Sequence, residues 1–297
     1  MAEVARQEAT TRSIELKYGE EERRRLAGSD TSMARAEFSD RAKLRSDMLA
    51  PMDERIASSY PAATPPIPVE LTLMPSHPCP YLPDRTATLR AFYATRLEPI
   101  VYHGFLDASF RRSGSVIYQP VCRGCRACLP IRVPVRSFHA SKSQRRCLRR
   151  NADLTVAAGP PRASDEKYEL YTRYQAQRHA SHEPDARITF ERFLYRSPVE
   201  TVEFTYRDGR NQLLAVGICD VCEVSLSSVY FYFDPGSARR GLGTYGALRE
   251  IGFSAEMGIA YYYLGYWVRG CQKMEYKADF KPCEALYSDG SWRPIKD

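Results

Sequence analysis

The sequence predicts an α+β protein whose C-terminal half is built on a largely buried mixed sheet. The β-branched and aromatic run "SSVYFYFDP" is followed by a glycine turn and the helical pattern "GLGTYGALREIGFSAEMG". A second buried-looking strand, "IAYYYLGYW", comes directly after that helix. A strand, a crossover helix and a second strand form a unit in which the two strands pair in parallel and both sheet faces are covered.

Composition divides the chain into three parts. Residues 1–66 mix charge runs with Ala, Ser and Pro and end in "SSYPAATPP", which predicts a flexible leader. Residues 67–157 hold the closely spaced cysteines and are predicted to form an N-terminal domain. The charged, proline-bearing stretch "AAGPPRASDEK" at residues 157–167 predicts a connector, and residues 158–297 are predicted to form a C-terminal domain.

Within the C-terminal part, the sequence predicts further elements before the crossover unit. "KYELYTRYQAQRHA" has an amphipathic pattern and predicts a helix. Two β-rich runs flank the turn signal Asp208-Gly209 and predict a hairpin.

Charge and hydropathy limit the possible functions. The net charge of the chain is +7, and the excess of bases lies beyond the leader, where 32 bases face 24 acids; such an excess favours a polyanionic partner such as nucleic acid. No apolar run approaches the ~20 residues that span a bilayer, and the N-terminus lacks a secretory or transit pattern. We therefore expect a cytoplasmic protein with no membrane partner.

The segment "SKSQRRCLRRN" carries a concentrated basic pattern. If it is helical, its bases recur at helical spacing and form one positive stripe, with Cys147 and Leu148 on the inward side. Like charges four residues apart repel, so the stripe costs stability unless an anion lies across it. A phosphate backbone would serve, and a solvated basic face is the alternative. The stripe comprises Lys142, Arg145, Arg146, Arg149 and Arg150.

The glycine turn Arg239-Arg240-Gly241-Leu242-Gly243 lies between a predicted strand and a predicted helix. Glycines allow close backbone approach, and the free N–H groups of a helix N-terminus attract anions. The pattern resembles the pyrophosphate loop of the GNAT acyltransferase fold, although a plain turn with solvated arginines would look similar. Further along, Lys273, Tyr276 and Lys277 lie one helical turn apart and could bind an acidic group or a polar reacting centre, as could an ordinary surface helix.

Cys122, Cys125 and Cys128 recur at three-residue intervals with Arg123 and Arg126 between them, and these arginines would lower the pKa of the thiols and favour thiolate. Zinc or an iron–sulfur cluster would need a fourth ligand, for which Cys79 is the first choice and Cys147 and His77 are alternatives. Oxidant sensing and simple packing stay open for these thiols. The separate pair Cys219 and Cys222 lies on a predicted strand and is expected to be structural.

Five segments together resemble one family. They are "CPYLPDR", "FRRSGSVIYQPVCRGCRACLPIRVPV", "SKSQRRCLRRN", "YFDPGSARRGLGTY" and "YLGYWVRGCQKMEYKADFKP". In this order and spacing they resemble the bacterial aspartate/glutamate leucyltransferases, relatives of the eukaryotic arginyl-tRNA–protein transferases. The resemblance covers residues 67–293 and implies a GNAT-like three-layer α/β/α C-terminal domain. One departure is that the eukaryotic relatives have Cys-x-x-Cys where this chain reads Cys79-Pro80-Tyr81-Leu82, so a cluster like the one proposed for them would need a different ligand set here, drawn from Cys122, Cys125 and Cys128.

The resemblance also implies transfer of leucine from Leu-tRNA to the N-terminal Asp or Glu of other proteins, marking them for degradation. An aminoacyl ester is already activated, so no cofactor is expected to be required, and the enzyme's tasks are positioning, proton removal and oxyanion stabilisation. We expect these roles to be filled as follows: catalysis by Lys273, Tyr276 and Lys277; substrate binding by Arg112, Tyr118 and Tyr266; tRNA binding by Lys142, Arg145, Arg146, Arg149, Arg240, Gly241 and Gly243. Arg112 or one of the lysines is expected to pair with the carboxylate of the acceptor's first residue.

Three other functions fit parts of the sequence. An arginyl-tRNA–protein transferase would need an acidic pocket for the guanidinium, whereas leucine needs an apolar one. An acyl-CoA-dependent GNAT enzyme would leave the basic stripe without a role. A metal-dependent nucleic-acid-binding or redox-sensing protein would make the cysteines central, with no group transferred.

Overall fold

The computed structural model describes residues 64–179 and 185–295. The predicted leader lies outside this part of the chain apart from residues 64–66. In the described ranges, no helix is long and apolar enough to cross a membrane.

A large mixed sheet of eight strands organises the fold, in the spatial order β14-β13-β7-β12-β11-β10-β9-β8. Strands β11 and β12 pair in parallel and the other neighbours are antiparallel. The strands are β7 (Leu129–Pro134), β8 (Thr155–Gly159), β9 (Thr201–Arg207), β10 (Leu213–Val221), β11 (Ser225–Phe233), β12 (Tyr261–Trp267), β13 (Glu284–Leu286) and β14 (Trp292–Pro294).

Two small sheets precede the large one along the chain. One has the spatial order β1-β4-β6-β5 and the other pairs β2 with β3. Their strands are β1 (Thr72–Leu73), β2 (His77–Pro78), β3 (Thr86–Ala87), β4 (Leu89–Tyr93), β5 (Arg111–Ser113) and β6 (Val116–Pro120).

The helices connect and cover these sheets. They are α1 (Pro99–Asp107), α2 (Lys142–Arg150), α3 (Asp165–His179), α4 (Arg187–Phe190), α5 (Leu242–Glu256) and α6 (Gln272–Glu275). Short 3₁₀ segments span Val135–Ser137, Pro235–Arg240 and Tyr276–Asp279, and a π-helical turn spans Glu191–Tyr195.

The large sheet is covered on both faces. Successive residues of a strand point to opposite faces, and Val216 and Ile218 of β10 pack in the cluster that includes α3. Ala215 and Cys219 of the same strand pack in the cluster that includes α5. The predicted α+β class and three-layer α/β/α arrangement are therefore confirmed, and so is the crossover from β11 through α5 to β12.

Helix α5 lies unusually close to the sheet at one glycine. A Cβ atom added at Gly246 would come within 2.2 Å of the Phe231 ring, so only glycine allows this packing distance. The helix begins after Gly241, whose φ of 69° is in the left-handed region that glycine adopts without strain. It ends before Gly258, whose φ is also positive. The sequence prediction of this helix between its two glycines is confirmed.

The domain boundary predicted at residues 157–158 does not separate two sheets. It falls inside β8, which pairs with β9, and β7 from the predicted N-terminal domain lies between β13 and β12 of the large sheet. The change in composition near this point marks a surface connection, whereas strand pairing is set by contacts far apart in sequence.

Arg132 of β7 joins elements from both halves of the chain. It forms ion pairs with Asp107 at 2.9 Å and Glu284 at 2.8 Å, and its guanidinium lies 3.9 Å from the centroid of the Tyr261 ring. Its side chain is only 10% exposed. These contacts hold α1, β7 and β13 together and fix the small sheet against the large one.

Candidate active site

A cavity of about 750 Å³ lies between the small and large sheets. The four-stranded small sheet contributes side chains of β5 and β6, and the large sheet contributes those of β11 and β12. The residues that follow β12 and the glycine turn before α5 complete the wall. Of the residues predicted for the site, the cavity lining includes Arg112, Tyr118, Gly241, Gly243, Tyr266, Lys273, Tyr276 and Lys277.

The N-terminus of α5 faces this cavity. Residues Gly241–Thr244 line it, and the N–H groups at the start of a helix have no partner within the helix. A Cβ atom added at Gly243 would meet nothing within 4 Å, so the backbone is open to a ligand there. The turn therefore has the geometry of an anion site, with the dipole of a 15-residue helix behind it.

The basic segment forms helix α2, as predicted, and we call its five bases the basic face: Lys142, Arg145, Arg146, Arg149 and Arg150. All five are exposed, while Cys147 is buried on the opposite side. Ser141 caps the helix by accepting from the Gln144 N–H, and the Gln144 side chain accepts from the Ser141 N–H in return. The basic face thus projects from a well-capped helix.

Helix α2 packs directly against the glycine turn. The Asn151 side chain donates to the Arg240 carbonyl at 2.9 Å, and the Cys147 thiol donates to the Gly241 carbonyl at 3.5 Å. Arg150 donates to the Arg239 carbonyl at 2.9 Å. The Arg240 guanidinium pairs with Asp153 at the surface, at 2.9 Å. The basic face and the cavity therefore share one wall, the turn 239–243.

The Lys277 side chain, from the 3₁₀ segment Tyr276–Asp279, packs against a bend in β12. The pairing of β12 with β7 shifts register between Tyr263 and Gly265, and Gly265 has a φ of 83°. Such bulges redirect side chains and are frequent near active sites. The Lys277 ammonium donates to the Tyr266 carbonyl at 2.9 Å and points along the cavity wall. Lys273 and Tyr276 are more exposed at the rim.

Arg112 does not present its guanidinium to a ligand. Its side chain is fully buried, and its Nε and Nη2 atoms donate to both carboxylate oxygens of Asp220 at 2.6–2.8 Å. Asp220 accepts further from Tyr102 at 2.8 Å and from Thr201 at 3.1 Å. The prediction that Arg112 pairs with the substrate carboxylate is corrected, because Asp220 already occupies that position.

The neighbouring Arg111 was missed by the sequence analysis. It is 5% exposed and lines the cavity. In the pairing of β5 with β6, Arg111 lies opposite Tyr118, whereas Arg112 lies opposite Ile117. Alternation along a strand indicates that two adjacent arginines face opposite ways, but the sequence does not say which of the two guanidinium groups is neutralised by a carboxylate of the protein itself.

The two predicted substrate-binding tyrosines both lie on the cavity wall. The Tyr266 hydroxyl donates to the Ser109 carbonyl at 2.7 Å, so this side chain offers its ring rather than its hydroxyl to a ligand. Tyr118 packs with it in one buried cluster beneath α6. Both side chains therefore line the cavity, Tyr118 from β6 and Tyr266 from β12.

Much of the remaining wall is apolar. Phe193, Val229, Phe233 and Leu242 are among its members. Glu250 is the one carboxylate among the described lining residues, and it is 1% exposed. The Tyr262 hydroxyl donates to it, and burial raises the pKa of the Glu250 carboxyl.

The predicted metal site is not formed. In the described part of the chain, no three His, Cys, Asp or Glu side chains are grouped so that they could hold a metal ion, and this includes Cys79, Cys122, Cys125 and Cys128. Burial raises the pKa of the Cys122 thiol, opposite to the predicted effect of the nearby arginines. The thiol of Cys122 contacts the Thr88 backbone instead. In this arrangement the four cysteines are not grouped as metal ligands, although Cys125 and Cys79 lie close enough to Cys122 to raise its pKa further.

The other cysteine pair has the expected structural role. Cys219 and Cys222 are both free thiols and both buried. Burial raises the pKa of Cys219 well above its usual value and that of Cys222 to about 12. Thiols with such a raised pKa stay protonated and behave as small apolar side chains.

Two family models match the chain. The model of the arginine-tRNA-protein transferase N terminus matches residues 77–146, and that of its C terminus matches residues 166–287. The first match contains the Cys-rich segment and the start of α2. The second contains the glycine turn, the bulge in β12 and Lys277.

Curated relatives extend over most of their own length. An aspartate/glutamate leucyltransferase of Pseudomonas fluorescens Pf-5 is 41% identical over 216 residues, which are 71% of this chain and 90% of the relative. The enzyme of the same name from Nitrosococcus oceani is 40% identical over 228 residues, 76% of this chain and 95% of the relative. The chain belongs to the aspartate/glutamate leucyltransferases. Members of this family are aminoacyltransferases, and aminoacyl-tRNA is the partner that the matched family models name.

Solved structures show partial similarity to this chain. The C-terminal domain of a putative lysylphosphatidylglycerol synthetase from Agrobacterium fabrum is 15% identical with a TM-score of 0.40, covering 64% of this chain and 56% of that one. A GCN5-related N-acetyltransferase from Kribbella flavida is 16% identical with a TM-score of 0.29, covering 56% and 54%.

Proposed function

We propose that this protein transfers leucine from Leu-tRNA to the N-terminal Asp or Glu of acceptor proteins, so that they become substrates for degradation. The observation that carries the proposal is the shared wall at turn 239–243, which contacts the basic helix on one side and lines the cavity on the other. A charged 3′ terminus bound along α2 would reach the cavity at this turn. The reaction would then take place in the cytoplasm, where aminoacyl-tRNA is made.

In this proposal the basic face binds the tRNA backbone. Lys142, Arg145, Arg146 and Arg149 contact phosphates, and their exposure leaves them accessible to a large ligand. The N-terminus of α5 and Gly243 receive the phosphates of the acceptor end. Neutralising several phosphates releases counterions, which makes such binding steeply dependent on salt concentration.

The chemistry is an ester aminolysis. The α-amine of the acceptor attacks the ester carbonyl, an amide bond forms, and the bond to the ribose oxygen of the tRNA breaks. The proton lost by the amine ends on that ribose oxygen. An α-amino group with a pKa of about 7.7 to 8.0 is roughly a tenth neutral at pH 7, so the nucleophile needs little activation.

Lys277 is suited to stabilise the oxyanion of this reaction. Its ammonium is partly buried and held against the Tyr266 carbonyl, so it is oriented before the substrate binds. Tyr276 and Lys273 at the rim contact the incoming groups. We propose that no metal is required, because the aminoacyl ester is already activated, and a chelator should leave the rate within about twofold.

The walls favour leucine over arginine. A transferred arginine would call for acidic side chains, yet the one described lining carboxylate is the buried Glu250, which already binds Tyr262. Apolar rings and aliphatic side chains suit an isobutyl group instead.

The test is a transfer assay with radiolabelled aminoacyl-tRNA and a peptide that starts with Glu. Leu-tRNA should label the peptide, while Arg-tRNA should label it at least tenfold more slowly. Acetyl-CoA without RNA serves as the control for ordinary acetyltransferase activity. Labelling from Arg-tRNA alone, or from acetyl-CoA, would overturn the proposal.

A further inference from the structure

Arg111 is a buried cation in the cavity wall. It is 5% exposed, and its guanidinium lies 5.4 Å from the centroids of both the Tyr263 and Tyr266 rings. The two rings hold the guanidinium plane in place and attract its charge. Arg111 belongs to β5 and both rings belong to β12, so contacts between these two strands fix the side chain.

The hydrogen bonds of Arg111 leave one edge of its buried guanidinium short of partners. Nη1 donates to the carbonyls of Phe110 at 2.6 Å and Leu106 at 3.2 Å. Nη2 has a single long contact to the Gly265 carbonyl at 3.5 Å, and Nε is buried with no partner. No carboxylate among the described residues forms an ion pair with Arg111. The Nε and Nη2 edge is the one that binds a carboxylate with two parallel hydrogen bonds.

Arg112, in the same strand, has a carboxylate partner at the Nε and Nη2 edge where Arg111 has none among the described residues. Its Nε and Nη2 atoms both bind Asp220, and the pair is fully buried. A buried charge without a partner is costly, and a lone buried N–H carries a further cost. Arg111 bears both costs in the structure. A ligand that brings a carboxylate into the cavity would remove them.

The position of Arg111 relative to Lys277 fits a ligand whose carboxylate lies close to its attacking amine. Arg111 contacts the Gly265 carbonyl and Lys277 contacts the next carbonyl, that of Tyr266. In an N-terminal Asp or Glu, the side-chain carboxylate lies only a few bonds from the attacking amine. A cation that selects such a residue must therefore lie close to the reacting centre.

We propose that Arg111 binds the side-chain carboxylate of the acceptor's first residue and so determines selectivity for Asp and Glu. The proposal rests on the proposed function for its acceptor class. Lys273 is a weaker candidate for this role, because it is exposed at the rim and water competes for its charge. The buried guanidinium of Arg111 distinguishes a carboxylate from an amide more strongly, because water cannot replace the hydrogen bonds that are lost when the ligand has no charge.

The experiment compares two peptides that differ only in starting with Glu or Gln. Calorimetry measures their binding to the full chain, and the transfer assay measures kcat and KM for each. The wild type is compared with Arg111→Gln, Arg111→Lys and the matched control Arg269→Gln. Arg269 is an exposed arginine close in sequence to Tyr266 and outside the cavity lining. Thermal unfolding and Leu-tRNA affinity report on the integrity of each variant.

We expect Arg111→Gln to weaken binding of the Glu peptide by about 10- to 100-fold, the range for a charge-assisted pair, and to change the Gln peptide by less than about threefold. Arg111→Lys should recover part of the preference, because it keeps the charge and loses the two-pronged geometry. If Arg111→Gln does not fold, Arg111→Lys alone must still reduce the Glu preference. Arg269→Gln should match the wild type.

Binding and transfer separate the two proposals. A wild type that binds the Glu peptide selectively but does not leucylate it would overturn the proposed function and leave the role of Arg111 supported. If both Arg111 variants keep the full Glu preference, Arg111 is not the selective residue, whatever group is transferred. A wild type that binds both peptides equally has the same consequence.

Discussion

The basic face of α2 and the cavity use cations in opposite ways. On α2, five bases stand exposed on one side of a single helix. In the cavity, Arg111, Arg112 and Lys277 are each held by specific carbonyls, rings or a carboxylate. Exposed charges add up to a general affinity for a polyanion, whereas a buried and fixed charge discriminates between single chemical groups. The following predictions test whether the two regions divide the work in this way.

The largest effect is expected from Arg112→Gln, and it concerns stability. The variant leaves Asp220 buried without its cation, which should lower the free energy of unfolding by about 3 to 5 kcal/mol. Denaturant unfolding followed by circular dichroism measures this change. The exposed Arg196 provides the control, since Arg196→Gln should change the free energy by less than about 0.5 kcal/mol. A loss below about 1 kcal/mol would indicate that Arg112 is free to serve the substrate after all.

Lys277→Met should affect catalysis more than binding. It keeps the apolar stem but removes the ammonium proposed to stabilise the oxyanion, so kcat should fall about 10²- to 10³-fold while Leu-tRNA affinity stays within about twofold. Single-turnover transfer to a Glu peptide measures the chemical step. Lys281→Met alters an exposed lysine outside the cavity lining and serves as the control. Transfer at the wild-type rate by Lys277→Met would remove Lys277 from the mechanism.

Removing charges from the basic face should weaken Leu-tRNA binding and leave kcat almost unchanged. The triple variant Arg145→Gln, Arg146→Gln, Arg149→Gln should raise the Kd for Leu-tRNA by about one to two orders of magnitude at low salt. It should also reduce the slope of log K against log salt by about 2 to 3, close to one unit for each phosphate contact. The value of kcat at saturating Leu-tRNA should stay within about threefold.

A second triple variant controls for overall charge. Arg173, Arg196 and Arg210 are exposed and lie outside both α2 and the cavity lining, so their replacement by Gln changes the net charge equally. This variant should keep the wild-type salt slope to within about one unit. Equal losses in the two triple variants would mean that net charge, and not the α2 surface, binds the tRNA.

The sequence predicts the two regions unequally well, for a physical reason. The period of the bases, the Ser141 cap and the buried Cys147 are all local properties of ten consecutive residues, so α2 and its exposed face follow from them. The glycines that bound α5 are local signals as well. By contrast, the choice between Arg111 and Arg112 depends on Asp220, more than a hundred residues away, which neutralises one of two adjacent arginines.

The cysteine spacing and the change in composition near residue 157 are both silent about contacts between distant parts of the chain. Regular spacing in "CRGCRAC" says nothing about where each thiol points once the loop folds, and the structure turns Cys122 toward the Thr88 backbone. Composition likewise marked a boundary at residue 157 but not the insertion of β7 between β12 and β13. Both outcomes are set by contacts between distant parts of the chain.

The smallest predicted effect tests the turn that joins the two regions. In Gly243→Ala the added methyl group meets no atom within 4 Å, and alanine is the better helix former, so stability should stay constant or rise by up to about 1 kcal/mol. The methyl group nevertheless enters the space proposed for the acceptor end, and kcat/KM for Leu-tRNA should fall about three- to tenfold. Gly252→Ala is a matched control, because it lies in the same helix, has equal free space and is outside the cavity lining. If the two variants transfer leucine equally well, the acceptor end does not approach the N-terminus of α5, and the basic face must deliver it by another route.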